Sequence, residues 1–520
     1  MPTRSLPGHG FGFIHPSRGS SLDASPPVVA LRCDAVVRPP RQSLGRSAFG
    51  ASDAAGHAVG TVGVGEATIP TILTLHEVLK IKEQDFLTAV QGTFKLGISF
   101  ENWRDVGEDY IHSFGFTGKD HWAAGFQHFW LRGQQLGMVK EYGEYCAEWL
   151  AAKQNRFAVL PNLTLNYAYH FDSSLYAKFL RGIAEENGVV RREGKIADVR
   201  QNPFNGYISE LQLCDGAVIE GDFFIDCTGF RGLLIEQALS AGYDDWTHWL
   251  PSDRAVAVQT ESVGPPIPYT RAIAHEAGWQ WRIPLQHRVG NGLVFSSKFW
   301  SEDEATEKLL SNVQGARITD PRVIRFQTGT RRAHWKKNCV AMGLSSGFME
   351  PLESTSIHLI QRSVIRLLQM FPHDGVRAPD VNEFNQQMQF EMDNIRDFII
   401  LHYHVTNRRD TPFWRHCASM EIPDSLKHRI ELFKQSGRVF KVPTELFGEN
   451  SWVQVMLGQG LVPEQYHPIV DMMSQEELKS FLEGIKGSVG NMVAQLPEHQ
   501  QFINHYCSIP TSAVAQSRSA

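Results

Sequence analysis

The alternation of apolar and polar positions predicts a strand, a turn and a helix between residues 339 and 368. Residues 339–342 are apolar and partly β-branched, which is typical of a buried strand in an α/β sheet. Glycine and serine follow, and apolar residues then recur at helical spacing. These apolar positions are Ile357, Ile360, Val364, Leu367 and Leu368. A helix N-terminus at the end of a strand presents unpaired N–H groups, so residues 343–360 predict an anion or cofactor site.

The start of this helix is predicted at Glu353, because an acidic side chain suits a helix N-terminus. Ser354 and Thr355 follow, and their hydroxyls are predicted to cap the first backbone N–H groups. The alternative interpretation is an ordinary strand–helix connection, since such connections are common in α/β folds.

The chain before this segment alternates between helix and strand patterns. Residues 73–79 predict a helix, and residues 91–103 predict a strand in which Lys95 points away from the face of Phe94. A helix is predicted to follow Ser173-Ser174 and to end at Asn187-Gly188. A hairpin with turns at residues 205–206 and 215–216 then leads into an apolar strand at residues 223–229.

The second half of the chain changes from strand patterns to helix patterns. Residues 256–299 predict antiparallel strands, and the alternation places Trp279 and Trp281 on one strand face. Residues 376–506 are amphipathic and mostly helical. The predicted fold class is therefore mixed α/β, with βα units first, an antiparallel layer next and a helical region last.

Residues 1–59 differ in composition from the rest of the chain. They are rich in Pro, Arg, Ser, Gly, Ala and His, and a strand-like run at residues 28–37 is interrupted by charges. Such a composition predicts a low-order arm. The predicted organisation is thus an arm over residues 1–59, a globular core over residues 60–375 and a helical region over residues 376–520.

Charge and cysteine content exclude several classes of function. The formal net charge of -6 gives no broad basic field for nucleic acid. We find no apolar run of the roughly 18–20 residues that a membrane span needs, and no signal peptide. The 7 cysteines are scattered without a CxxC pair, which predicts reduced thiols in the cytoplasm and no metal site.

Four motifs, in order along the chain, carry a resemblance to a known family. They are GVGEATIP at residues 63–70, Phe94-Lys95 ahead of Asn102-Trp103, GWQWRIP at residues 278–284 and EPLEST at residues 350–355. Over roughly residues 60–420 the chain resembles the flavin-dependent tryptophan halogenases. The resemblance implies an FAD-binding fold of the flavoprotein monooxygenase type, with an antiparallel substrate sheet and a helical C-terminal region that binds substrate.

The resemblance also implies a reaction. Reduced FAD, oxygen and chloride or bromide would give hypohalous acid, which halogenates an indole-type aromatic substrate. Lys95 matches the catalytic lysine of the family, whose amine hydrogen-bonds hypohalous acid or becomes a haloamine. Glu353 matches the catalytic glutamate, which orients the lysine or oxidant and accepts the proton that the ring loses. Outside the motifs, Lys95 would be interpreted as solvent-exposed and Glu353 as an acid at a helix N-terminus.

Halide and flavin positions follow from the same resemblance. The halide is expected at the backbone N–H groups of Thr355 and Ser356. Ser356 stands where the commonest family pattern has glycine, so the preference between chloride and bromide stays open. The implied flavin contacts are Gly63, Gly65, Glu66, Ala67, Val199, Leu344 and Ile357.

Two aromatic pairs are implied near the substrate. Trp279 and Trp281 match the motif that keeps substrate away from the flavin, with core packing as the alternative. Phe413 and Trp414 resemble the aromatic pair near the family's substrate site, but the residues that grip an amino acid do not align. Free indole, a larger indole scaffold and tryptophan therefore all remain candidate substrates. The resemblance further implies a separate flavin reductase and a homodimer.

One departure from the family concerns the start of the chain. The family opens with a strand–GxGxxG–helix fingerprint for the FAD pyrophosphate, and no such pattern precedes Gly60. Either the arm replaces the fingerprint, or residues 1–59 come from a shifted reading frame, which we favour. Translating the upstream DNA in the other two frames tests this hypothesis. An aromatic hydroxylase and an inactive aromatic-binding homologue are the alternative functions.

Overall fold

The computed structural model describes residues 66–508, together with the backbone of residues 28–32 and 35–37. The strand-like run in the predicted arm forms two strands there, and the rest of the arm lies outside the described residues. Gly63 and Gly65, two of the predicted flavin contacts, also lie outside them.

Strands occur throughout the first two thirds of the chain. The first are β1 (Val28–Arg32), β2 (Ala35–Val37), β3 (Glu66–Ala67), β4 (Thr93–Lys95), β5 (Gly97–Glu101), β6 (Asp109–Ser113), β7 (Ala168–Phe171) and β8 (Arg191–Arg192). Next come β9 (Ile196–Gln201), β10 (Ile208–Leu213), β11 (Val218–Glu220), β12 (Phe223–Cys227), β13 (Tyr243–Asp245), β14 (Arg254–Glu261) and β15 (Thr270–His275). The last are β16 (Gly278–Pro284), β17 (Arg288–Phe295), β18 (Arg322–Arg325), β19 (Gly329–Arg331), β20 (Trp335–Lys336), β21 (Cys339–Ala341) and β22 (Gly347–Phe348).

Helices surround these strands and dominate the C-terminal part. The first are α1 (Thr71–Val78), α2 (Glu83–Ala89), α3 (Phe126–Gln135), α4 (Ala147–Lys153), α5 (Ser173–Glu186), α6 (Glu302–Asn312) and α7 (Ser356–Gln369). They are followed by α8 (Ala378–His404), α9 (Pro412–Ser419), α10 (Asp424–Ser436), α11 (Glu449–Gly458), α12 (Gln475–Ala494) and α13 (His499–Tyr506). The helical C-terminal region is confirmed. Within the described part of the chain, none of these helices has the length and apolar character that crossing a bilayer requires.

A mixed sheet with three parallel strands at its centre forms one part of the core. Its strand order is β20-β21-β12-β1-β2-β8, and β12 runs parallel to both β1 and β21. The carboxyl ends of β12 and β21 therefore meet at one edge, where the turns Gly229–Arg231 and Gly343–Ser345 pack together. Ligands of open α/β sheets bind at this kind of edge, so the predicted strand–turn–helix segment is well placed for one.

The second large sheet has the order β18-β14-β17-β16-β15-β5-β6. Its pairings are antiparallel except for that of β15 with β5, which confirms the predicted antiparallel layer. Trp279 and Trp281 lie on β16, and both side chains are buried in the cluster that joins this sheet to α8. Together the two sheets and their helices confirm the predicted mixed α/β class.

A buried carboxylate fixes the end of β12. Asp226 is fully buried and accepts hydrogen bonds from the backbone N–H of Thr228 at 2.8 Å and from its hydroxyl at 2.6 Å. It also accepts from the N–H groups of Leu234 at 2.9 Å and Ile235 at 2.8 Å, within the π-helical turn Leu233–Ala238. One side chain thus satisfies the orphan N–H groups of the following turn.

Asp226→Ala is expected to lower the free energy of unfolding by about 2–4 kcal/mol, because it leaves several buried N–H groups without an acceptor. Denaturant unfolding followed by circular dichroism measures the change. Asp215→Ala is the matched control, since Asp215 accepts from the N–H of Ala217 in an exposed turn and its loss should change little. Equal effects of the two substitutions would contradict this account of Asp226.

Candidate active site

Lys95 is a fully buried amine. It lies at the end of β4 with 0% exposure, and its Nζ donates to the backbone oxygen of Thr68 at 3.0 Å and to Ser354 Oγ at 2.8 Å. The Nζ atom also lies 5.1 Å from the ring centroid of Phe114. Burial lowers the pKa of Lys95 to about 7, although Glu353 opposes the shift. The interpretation of Lys95 as a solvent-exposed lysine is therefore wrong.

Glu353 is a buried carboxylate held between two histidines. It lies in the 3-10 turn Pro351–Glu353 with 0% exposure. Its Oε2 lies 3.0 Å from His112 Nδ1, and its Oε1 lies 2.9 Å from His402 Nε2. Burial by itself raises the pKa of Glu353, but the two histidines outweigh it and lower the pKa to about 2. The site thus pairs an amine of lowered pKa with a carboxylate that stays ionised.

His402 is positioned to keep Glu353 charged. Its Nδ1 lies 2.8 Å from the backbone oxygen of Phe398, one turn earlier in α8. Both ring nitrogens therefore lie close to oxygen atoms, that of the Phe398 backbone on one side and that of Glu353 on the other. The interactions with His402 are among those that lower the pKa of Glu353.

The start of α7 differs from the prediction. The helix begins at Ser356 with Thr355 as the N-cap residue, and Glu353 belongs to the preceding turn. The predicted side-chain caps are wrong. Ser354 is left-handed with φ 59° and its hydroxyl accepts from Lys95, while the Thr355 side chain makes no capping hydrogen bond.

The uncapped helix start is buried, since Thr355 is only 2% exposed. Buried N–H groups at a helix N-terminus need an acceptor, and a small anion meets that need. The residues at Thr355 and Ser356 therefore fit the predicted halide site.

Four of the predicted flavin contacts lie in two places. Leu344 and Ile357 are half-buried on the turn after β21 and on the first turn of α7, which pack together. Half-buried apolar side chains at the carboxyl ends of parallel strands fit a flat ring system. Glu66 and Ala67 form β3, which pairs with β7. Burial raises the pKa of Glu66 to about 7, and nearby Asp172 adds to the shift.

Val199 lies elsewhere in the fold. It is on β9 of the separate three-stranded sheet β11-β10-β9 and packs into the cluster that contains Leu211 and Leu234. The flavin contacts of these residues, Val199 included, stay a prediction.

The predicted tryptophan pair belongs to an aromatic block. The ring centroids of Trp279 and Trp281 lie 6.2 Å apart, and Trp279 lies 6.3 Å from Trp103. Trp103 in turn lies 6.2 Å from the ring of His402, the partner of Glu353. We call Trp103, Trp279 and Trp281 the tryptophan wall, and its role in keeping substrate from flavin stays a prediction.

Phe413 and Trp414 are fully buried on α9. The Trp414 indole N–H donates to the backbone oxygen of His275 at 2.7 Å, and its ring stacks on Tyr403 at 6.0 Å. Phe413 lies 5.6 Å from the ring of Phe299. The structure thus places the pair in the aromatic core beside the wall, and direct contact with substrate stays a prediction.

Sequence reasoning missed several residues of the site. His112, His402 and Ser354 touch the two predicted catalytic side chains directly. Phe447 stacks on Phe398 at 3.8 Å and lies 6.2 Å from the ring of His112, which provides an aromatic surface near Glu353. His112 lies in a stretch without a clear period, and a contact between side chains on distant elements leaves no local signal in the sequence.

Comparisons with known proteins show the family to which this chain belongs. The tryptophan halogenase family profile matches residues 55–475. The tryptophan 7-halogenase RebH of Lentzea aerocolonigenes is 32% identical over 484 residues, which cover 85% of this chain and 91% of that protein. The flavin-dependent halogenase Xcc4156 of Xanthomonas campestris is 56% identical, with a TM-score of 0.87 over 89% of this chain and 93% of that structure. BrvH, a flavin-dependent halogenase of Brevundimonas sp. BAL3, is 42% identical, with a TM-score of 0.83 over 85% of this chain and 92% of that structure.

The fold and the site define a flavin-dependent halogenase, an oxidoreductase that uses FADH2. The chain belongs to the tryptophan halogenase family. The family implies the use of FAD and a halide, and the FAD-binding fold predicted from the motifs is confirmed.

Lys95→Met is expected to raise the free energy of unfolding at pH 7 by about 2 kcal/mol, because it removes an amine whose protonated form is disfavoured by burial. The folded pKa of Lys95 is lowered from 10.5 to about 7, so the unfolded chain binds the extra proton between these values. The wild-type protein should therefore gain stability as the pH rises through that window, and the gap to the variant should narrow. Denaturant unfolding at several pH values measures the difference in free energy of unfolding between the variant and wild type. A variant less stable than wild type at every pH would contradict the expectation.

Proposed function

We propose that this protein halogenates an indole-type aromatic substrate, using reduced FAD, oxygen and chloride or bromide, through hypohalous acid and Lys95. The single observation that carries the proposal is the juxtaposition of Lys95 and Glu353. The amine donates to Ser354, the residue that directly follows Glu353 in the turn before α7. We therefore expect the oxidant, the halide and Glu353, the acceptor of the ring proton, to lie around the turn before α7.

Lys95 acts on the electrophilic halogen. A pKa near 7 leaves a large fraction of the amine neutral at neutral pH. The neutral nitrogen either hydrogen-bonds hypohalous acid or attacks its halogen atom. In the second case an N–halogen bond forms, the halogen–oxygen bond breaks, and the amine proton leaves with the oxygen as water. In both cases a desolvated amine fixes the halogen before the ring reaches it.

Glu353 acts on the positive charge of the ring. Attack of the ring carbon on the halogen gives a cation that has yet to lose its proton, and a carboxylate nearby stabilises that charge. The ring cation is a strong acid, so even a carboxylate with a pKa of about 2 accepts the proton. His112 and His402 keep Glu353 ionised until this step, since each lies within 3.0 Å of a carboxylate oxygen.

The halide is expected at the backbone N–H groups of Thr355 and Ser356, and the buried, uncapped start of α7 supports this placement. Leu344, Ile357 and the Glu66 strand would hold the flavin. FAD, when bound in its reduced form, supplies the oxidising equivalent from molecular oxygen. A separate flavin reductase is expected to reduce it, and a homodimer is expected.

The substrate is expected to lie against His112, Phe398 and Phe447, whose rings are grouped beside Glu353. Flat aromatic surfaces of this kind favour an indole-type ring. The names of RebH and other relatives specify tryptophan, and our proposal includes free indole and larger indole scaffolds on the same terms.

Lys95→Met is expected to lower the formation of halogenated product by about 100-fold or more, because no amine remains to fix the halogen. The assay supplies FAD, a flavin reductase, bromide and a panel of indoles and phenols, with products weighed by mass spectrometry. Hydrogen peroxide release should continue, since the flavin side is intact.

Lys153→Met is the matched control, because Lys153 is a half-exposed lysine paired with Asp109 on the neighbouring β6. Halogenation retained by Lys95→Met would remove Lys95 from the mechanism. A hydroxylated product that does not depend on bromide would instead favour an aromatic hydroxylase.

A further inference from the structure

A second buried carboxyl group lies in the turn that carries Glu353. Glu350 is three residues earlier and only 1% exposed. Its Oε2 accepts from the Trp279 indole N–H at 3.1 Å and from the Tyr403 hydroxyl at 2.9 Å. The two carboxyl groups are thus held by consecutive residues of α8, His402 for Glu353 and Tyr403 for Glu350.

The two carboxyl groups differ in their partners. Glu353 faces two histidines, whereas Glu350 has no cationic partner among residues 66–508. A buried carboxylate without a cation is costly, so the group keeps its proton instead. Burial accordingly raises the pKa of Glu350 to about 7, although its two hydrogen bonds oppose the shift. One turn therefore carries an ionised and a neutral acid.

Glu350 also connects the tryptophan wall to the catalytic turn. Glu350 accepts a hydrogen bond from the indole N–H of Trp279, which belongs to the wall. Trp103 of the same wall lies 5.2 Å from the ring of Tyr403, the other donor to Glu350. A displacement of the Glu350 side chain would therefore shift the wall, α8 and the turn together. Within the described part of the chain, Glu350 is the side chain that accepts a hydrogen bond from the Trp279 indole.

We propose that Glu350 is a positioning residue for halogenation, whose hydrogen bonds to Trp279 and Tyr403 lock the turn carrying Glu353 against the tryptophan wall and α8. The inference rests on the proposed function, because halogenation is its main readout. Glu350 does this work in the neutral form. Ionisation strengthens the two hydrogen bonds themselves, but the larger cost of burying the charge favours conformations in which the side chain reaches water, so ionisation weakens the lock.

The surroundings of Glu350 explain why ionisation is unfavourable. The polar groups that face it are the Trp279 N–H from β16, the Tyr403 hydroxyl from α8 and the Cys417 thiol from α9. Its own Oε1 has no hydrogen-bond partner among the described residues. A negative charge on Glu350 has only neutral groups around it, and it also raises the pKa of Tyr403 and Cys417.

The test compares the rate of halogenation from pH 6 to pH 9 in three variants with that of wild type. Glu350→Gln keeps an oxygen acceptor for both donors but cannot ionise. We expect this variant to have a kcat within about twofold of wild type at pH 6. Above pH 7 it should lack the decrease in rate that ionisation of Glu350 causes in wild type. Glu350→Leu removes the acceptor, and we expect kcat at pH 6 to fall about tenfold with KM little changed, since two donors lose their partner.

Tyr403→Phe removes one of the two hydrogen bonds that lower the pKa of Glu350. The loss of rate above pH 7 should therefore move to higher pH in this variant, an effect that a merely structural residue would not produce. Because Lys95 titrates near the same pH, the ratio of variant to wild type is the quantity compared. Glu445→Gln is the control, since Glu445 is buried in an ion pair with Arg429, and its ratio should not change with pH.

A second readout does not depend on turnover. The fluorescence of Trp279 should titrate near pH 7 in wild type, and this titration should be absent in Glu350→Gln and in Trp279→Phe. The proposal would be overturned if the ratio of variant to wild-type halogenation rate did not change with pH in either Glu350→Gln or Tyr403→Phe. If wild type gives no halogenated product, the proposed function fails, and the fluorescence titration alone then decides whether Glu350 holds Trp279.

Discussion

The burial of one amine beside one carboxylate is the constraint on which the site depends. Lys95 has no exposure to water, and its hydrogen-bond acceptors are a backbone oxygen and the Ser354 hydroxyl. Neither acceptor carries a charge, so burial disfavours the protonated amine. The compensating charge comes from Glu353, which is itself stabilised by His112 and His402. Each element that meets here, β4, β6, α8 and the turn before α7, supplies one member of this set.

This constraint gives the segment from β21 to α7 two distinct faces. Leu344 and Ile357 lie where the carboxyl ends of the parallel strands meet, the edge at which α/β sheets bind their ligands. Glu353 lies on the other face, between histidines from the antiparallel sheet and from α8. The generic anion-binding turn indicated by the sequence is therefore better described as the boundary between an expected flavin side and an expected substrate side.

Local patterns were sufficient for features that depend on neighbouring residues. Side-chain alternation placed Trp279 and Trp281 on one face of a strand and separated Lys95 from Phe94, because the period of a strand is two. Local patterns failed where a contact with a distant residue determines the role of a side chain. Ser354 does not cap α7, since Lys95, 259 positions away in the chain, donates to its hydroxyl. The two histidines around Glu353 come from β6 and α8, and no spacing in the sequence relates them.

The most direct test of the central claim is the pKa of Lys95 itself. Nuclear magnetic resonance of protein labelled with ¹⁵N-lysine, with the signal assigned by its loss in Lys95→Met, follows the protonation of the Nζ atom with pH. The burial of this amine predicts a midpoint near 7. A midpoint near the ordinary value of 10.5 would mean that the amine is solvated in the folded protein, and the account of the site would be wrong.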